Sequence, residues 1–146
     1  MRVLVRSAQH LDRAQIIAID SVAVSDPLRV DAIDEWLKQS KVFIADAGGA
    51  VVGYAVLGGR RFFGYDMLEM LMVATQYRRQ GIGEALLRHV EQLAQTSKLF
   101  VTTNLSNQTM QELLRKLAYT VCGCIGELDP GDPEIVFVKT FQKDKV

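Results

Sequence analysis

The sequence predicts a single mixed domain of the α/β or α+β class, with about seven strands and four helices. Three observations carry that reading. Short apolar or alternating runs recur along the chain, as strands do. Between them lie segments whose apolar residues return every three to four positions, as in amphipathic helices. No linker, internal repeat or low-complexity stretch divides the 146 residues, so residues 1–146 read as one domain. A chain of that length buries about two thirds of its unfolded surface and needs no staples.

The elements follow in order. Arg2 to Arg6 alternates and reads as a first strand. After Ser7, Leu11, Ala14, Ile17, Ala18 and Val22 keep close to helical spacing. Ser25-Asp26-Pro27 breaks that pattern, and Asp31 to Gln39 forms a shorter helix with Ile33, Trp36 and Leu37 on one side. Lys41 to Ala47 and Ala50 to Leu57 are strands joined at Gly48-Gly49, a hairpin signal. Gly58 to Arg61 reads as a loop. Tyr65 to Ala74 is nearly continuous in apolar residues and is expected to be central and buried on both faces. A polar loop, Thr75 to Gln80, leads into a long amphipathic helix marked by Ile82, Leu86, Val90, Leu93 and Ala94 and ending near Gln95. Leu99 to Thr103 is a strand, and Met110, Leu113, Leu114 and Leu117 mark a helix from about Ser106. Tyr119 to Ile125 and Ile135 to Phe141 are the last two strands, parted by Asp129-Pro130-Gly131-Asp132-Pro133.

Charge and composition exclude several classes. Lys plus Arg equals Asp plus Glu at 17 each, so the net charge is zero. A general nucleic-acid binder or a polybasic membrane-surface protein would carry a basic excess. No apolar run reaches the ~18 residues of a membrane span. The best, Met67 to Ala74, is short and broken by Glu69. No apolar stretch follows Met1 to Arg6, so no signal peptide is expected. Cys122 and Cys124 stand two apart, about 6.5–7 Å along a strand, at the limit of a disulfide. Both are expected to be reduced, core-facing thiols in a cytoplasmic protein. His10 and His89 lie in separate helical regions and give those thiols no ligand set, so no metal is expected. An apolar edge strand at Ile135 to Phe141 would leave room for a homodimer.

The segment that carries chemistry runs from Glu69 to Gly83, EMLMVATQYRRQGIG. It reads strand, basic loop, two glycines, helix. A helix start offers unpaired N–H groups and a positive dipole end. Gly81 and Gly83 let a backbone approach a bulky anion, and Arg78 and Arg79 add positive charge. The combination suits a phosphate or pyrophosphate. Position 86 is Leu, so there is no third glycine for a dinucleotide fingerprint, and no Gly-Lys-Ser/Thr for a nucleoside triphosphate loop.

The stretch Leu71 to Gly83, with Arg78-x-x-Gly81-x-Gly83 followed by Leu86-Leu87, resembles the cofactor motif of the GNAT family of N-acetyltransferases. The order of elements agrees along essentially the whole chain. The resemblance implies an acyl-coenzyme A N-acyltransferase fold, with a mixed, mostly antiparallel sheet flanked by the helices, and acetyl-coenzyme A as acetyl donor. It implies that Arg78, Arg79, Gln80, Gly81, Ile82, Gly83 and Glu84 hold the pyrophosphate. Leu71, Met72 and Val73 would offer main-chain groups to the pantetheine arm. Asn107, and more weakly Asn104, would meet the cofactor, although Ser106 or Asn107 serves equally as a helix cap.

The function implied is acetyl transfer to a primary amine of a small molecule, by direct attack in a ternary complex. The alternatives are a peptide or protein amine as acceptor, or a non-catalytic acyl-coenzyme A sensor. A lysine-like amine with a pKa of about 10.4 costs roughly 4–5 kcal/mol to deprotonate at pH 7. A carboxylate, directly or through water, can take that proton. Glu69, the acid inside the apolar run, is the candidate base; its other reading is a strand-edge residue that pairs with Arg60 or Arg61 or points to solvent. Relatives supply a backbone N–H near Val73 to the oxyanion. Where many relatives carry a tyrosine acid this chain has Leu114, and Tyr119 is expected in the core. Glu127, Asp129, Asp132 and Glu134 gather around a Pro-Gly turn, either as a solvated turn or as a lure for a cationic amine.

Overall fold

The structure is a computed structural model that describes residues 2–142. Its elements run β1 (Leu4–Ser7), α1 (Arg13–Ile19), α2 (Pro27–Gln39), β2 (Lys41–Ala47), β3 (Ala50–Phe62), β4 (Tyr65–Val73), α3 (Ile82–Leu93), β5 (Lys98–Asn104), α4 (Gln108–Lys116), β6 (Thr120–Ile125) and β7 (Glu134–Thr140). The strands form one sheet in the order β1-β2-β3-β4-β5-β7-β6. Strands β1–β2, β2–β3, β5–β7 and β6–β7 pair antiparallel, whereas β4 and β5 pair parallel. The parallel ladder is short, Asp66–Leu68 against Leu99–Val101. The chain divides into two compact units.

The first unit holds the chain up to Gly58 together with Met70–Leu93. Its core joins Ile16 of α1 and Ile33 of α2 to Ile44, Tyr54 and Val56 of the sheet, with Trp36, Leu37, Met70 and Met72 packed against it. The sequence reading starts α2 at Asp31, but the helix begins four residues earlier. Asp26 caps it by accepting from the Leu28 N–H, and Pro27 takes the first turn, where its missing N–H costs nothing. Asp26-Pro27, read from the sequence as a break, therefore starts α2, while α1 has already ended at Ile19. The α1 end is held by Asp20, which is 0% exposed. Its carboxylate accepts from the Val22 and Ala23 amides, the Arg29 guanidinium and the Tyr54 hydroxyl. Burial pushes the Asp20 pKa up, yet the hydrogen bonds from Tyr54, Arg29 and the two amides outweigh it and hold the carboxyl below its ordinary value. Burial, and then the Asp20 bond, drive the Tyr54 phenol well above its ordinary value.

The β2–β3 hairpin turns at Gly48 and Gly49, both at positive φ, as expected. Gly58 to Arg61 is not a loop: β3 continues to Phe62. Asp66 secures that extension by accepting from the Arg60 amide at 2.9 Å. Strand β4 is buried only at Asp66 and Leu68 and is half-buried elsewhere, which corrects the expectation of burial on both faces.

The second unit holds Gly59–Glu69 and the chain from Ala94 onward. Its buried apolar side chains include Leu68, Leu99, Val101, Leu114, Leu117, Tyr119, Val136 and Phe137. Tyr119 is in the core, as expected. Strand β7 lies between β5 and β6, so Ile135 to Phe141 is not an edge; the terminal strand of this half is β6. Cys122 and Cys124 sit on β6, free but exposed rather than core-facing. Two-residue alternation marks a strand but does not tell which strand ends a sheet. No helix among the described residues is long and apolar enough to cross a membrane.

Candidate cofactor cradle and active site

At the end of β4, Ala74 donates its amide to the Val52 carbonyl at 2.9 Å, and a single 3-10 turn spans Thr75–Tyr77. Arg78, Arg79, Gln80 and Gly81 are then exposed, and α3 starts at the buried Ile82. Arg79 has φ +63° and Gly81 has φ +80°. Two left-handed residues before a helix turn the backbone sharply and leave amides facing outward. A side chain on Gly81 would meet nothing within 4 Å, so glycine serves the conformation there and not crowding. Ile82, Leu86, Leu87 and Val90 are buried and seat α3 firmly behind the loop. The first helical bond runs from the Ala85 amide to the Gly81 carbonyl at 3.0 Å. Arg78 folds back, its Nε donating to the Val73 carbonyl at 3.2 Å, and ties the loop to β4. Glu84 pairs with Arg88 one turn on, at 3.0 Å. An exposed basic loop, a twelve-residue helix behind it and open space before Gly81 fit a pyrophosphate.

On β4, the Glu69 side chain is 17% exposed and lies 3.7 Å from the Arg61 Nε. The pairing with Arg61 weighed from the sequence therefore exists, but Glu69 stands mid-strand on an interior strand and not at an edge. Ala74 spends its N–H on Val52 and is not an oxyanion donor. The sequence reading overlooked a second acid on this strand. Asp66 is 3% exposed and accepts from the Arg60, Gln95 and Thr96 amides. The signal was an aspartate opening an apolar strand directly after a hairpin, where carboxylates collect backbone amides.

Asn107 caps α4 by accepting from the Met110 amide at 3.1 Å. Asn104 donates to the Asp129 carboxylate and the Asp132 carbonyl, and Asp132 accepts from the Ser106 amide and hydroxyl. The acidic segment is thus a turn stitched to the end of β5. Leu114 is fully buried, so no acid replaces the absent tyrosine at that position. His89 packs edge-on against Phe43 at 4.9 Å, a boundary residue of α3. Among the described residues no three of His, Cys, Asp and Glu gather as metal ligands.

The sequence model of the acetyltransferase (GNAT) family matches residues 9–119. An N-alpha-acetyltransferase of Sulfurisphaera tokodaii is 29% identical, over 79% of this chain and 78% of that protein. A GNAT-family acetyltransferase structure from Bacillus cereus superimposes with a TM-score of 0.89 at 26% identity, covering 98% of this chain and 100% of that one. A ribosomal-protein-alanine N-acetyltransferase from Brucella melitensis gives a TM-score of 0.80 at 24% identity, over 94% and 99%. A Salmonella typhimurium structure with its cofactor acetyl-CoA gives 0.78 at 17% identity, over 99% and 96%. The last two speak for the fold alone. With the family match spanning most of the chain and the motif loop folded as a cradle ahead of α3, the protein belongs to the GNAT family of acetyltransferases.

Proposed function

We propose that the protein moves an acetyl group from acetyl-coenzyme A to a primary amine of a small molecule, by direct attack in a ternary complex. The observation that carries the reading is the cradle: Arg79 and Gly81 at positive φ, exposed, immediately ahead of a helix whose first residue is buried. The donor, when bound, supplies an activated thioester. Arg78, Arg79 and Gln80, with the backbone of Gly81, Ile82, Gly83 and Glu84, hold its pyrophosphate. The main chain of Leu71, Met72 and Val73 lies along its arm. Asn107, whose Oδ1 caps α4, offers its amide nitrogen, and Asn104, whose amide nitrogen pins the turn, offers its oxygen.

Glu69 takes the proton from the acceptor amine, directly or through a water. A thiolate with a pKa near 8.5 is a tolerable leaving group at about pH 7, which suits a site with Leu114 in place of an acid. The non-catalytic alternative is not needed to explain that substitution. A second acceptor reading, a protein or peptide N-terminal amine, is favoured by the name of the Sulfurisphaera tokodaii relative.

Thiol release from acetyl-CoA, measured against a panel of small amines and of short peptides with free N-termini, tests the reading. Release with small amines supports the primary acceptor class, and release with peptides alone replaces it by the second. Tight donor binding with no release across both sets would make the protein a binder and not an enzyme.

A further inference from the structure

We propose that Gly53 is a positioning residue for the donor cradle, setting the end of β4 and the first turn of α3 against each other. The inference rests on the reading of the Arg78–Gly83 loop as the donor site. In the β2–β3 ladder Ala45 faces Gly53 while Asp46 faces Val51, so Val52 is an extra residue, a β-bulge. The carbonyl of that bulged residue accepts the Ala74 amide at 2.9 Å, at the point where β4 stops. Gly53 follows directly. A Cβ placed on it would lie 3.0 Å from the Met72 carbonyl oxygen, 3.1 Å from Leu86 Cδ1 and 3.2 Å from Ile82 Cγ2. Gly53 is not among the residues at positive φ, so space and not conformation demands glycine here. This is the reverse of Gly81, where the φ demands it and space is open.

The three atoms that crowd Gly53 belong to the two walls of the cradle. Met72 is one of the residues whose main chain faces the donor's arm. Ile82 and Leu86 are the buried residues that seat the start of α3. Met72 O is a backbone atom in a strand, and Ile82 and Leu86 are buried at 3% and 0% exposure, so none of them turns aside freely. A methyl group at position 53 therefore displaces strand end and helix start together. Displacements well below 1 Å suffice to spoil a preorganised site. A glycine in a strand interior otherwise weakens the strand, so its presence beside a bulge marks a close backbone approach.

The test compares Gly53→Ala with Val56→Ala. Val56 is buried in the core against α1 and α2, on the other face of β3. Both variants lose stability; only the first touches the cradle. Thermal midpoints are measured alongside acetyl-CoA binding by calorimetry and, with an active amine, donor KM against kcat. Gly53→Ala is expected to weaken acetyl-CoA binding about tenfold or more and to raise donor KM with kcat at saturation nearly unchanged. Val56→Ala is expected to bind within about twofold of the parent. Should Gly53→Ala fail to fold, Gly53→Ala/Leu86→Val gives back room on the helix side and keeps the clash with the Met72 carbonyl, so weakened binding is still expected. Parental affinity in a folded Gly53 variant overturns the proposal. So does a loss that Val56→Ala matches in proportion to its lowered midpoint, because the role is then stability alone. If the parent protein does not bind acetyl-CoA, or Gly81→Val binds as the parent does, the donor-site reading falls and takes this inference with it. If both behave as expected and Gly53→Ala does too little, only the inference falls.

Discussion

Single residues divide into those whose role is local and those whose role depends on distant partners. The roles proposed for Glu69 and Gly81 are of the first kind, and the sequence alone singles these residues out. Glu69→Gln is expected to lower kcat by about 10²–10⁴ at neutral pH while acetyl-CoA affinity stays close to parental, measured by steady-state kinetics and calorimetry. A wild-type rate and pH profile would remove Glu69 as the base. Asp20, Asp66 and Gly53 belong to the second kind and were not legible. Asp20 gains its meaning from Tyr54, 34 positions away, and Asp66 from Gln95 and Thr96, about 30 away. Tyr54→Phe is expected to cost about 1.5–3 kcal/mol in chemical denaturation, since it removes a hydrogen bond to a buried carboxylate. The Asp20 pKa is depressed in the folded state, so its contribution is fully present above the unfolded carboxyl value of 3.8 and is lost as pH falls through the folded value. Stability of the parent should therefore decline below about pH 4, and Asp20→Asn should flatten that acid limb while lowering stability at neutral pH.

Elements were legible wherever hydrophobic periodicity and turn chemistry agreed. The β2 strand, the turn into β3, α3 and β5 fall where the spacing puts them, within a residue or two. Boundaries failed where one residue type carries two meanings. Asp26-Pro27 reads as a break because proline stops helices, yet the same pair starts α2 as cap and first turn. Gly58-Gly59-Arg60-Arg61 reads as a loop, although Asp66 holds it in the ladder from across the hairpin. Asp26→Ala is expected to destabilise the protein by about 1 kcal/mol, and Asn107→Ala by a similar amount at α4. The Asn107 variant separates two roles. A cap alone lowers the thermal midpoint with donor affinity unchanged, whereas donor contact also weakens acetyl-CoA binding. Strand order lies beyond periodicity: β6 and β7 both read as strands, and long-range pairing with β5 decides which is interior.

For the whole molecule, a net charge of zero excludes broad polyanion binding without excluding one anion site. The proposed anion site draws its charge from Arg78 and Arg79, both exposed on the loop ahead of α3. The acidic residues 129 and 132 are occupied in pinning Asn104 and Ser106, which favours the plain turn over a lure for cations. The family could be read from one strand-loop-helix segment because its chemistry is local: a backbone turn, two arginines and a helix start within a few residues. The acceptor could not, because the residues that choose it stand on variable loops. Calorimetric titration of acetyl-CoA into the parent protein and Gly81→Val tests the central claim most directly. Saturable one-site binding to the parent, weakened about tenfold or more in Gly81→Val, is the predicted result. Equal affinity in the two proteins, or no binding to the parent, would contradict it.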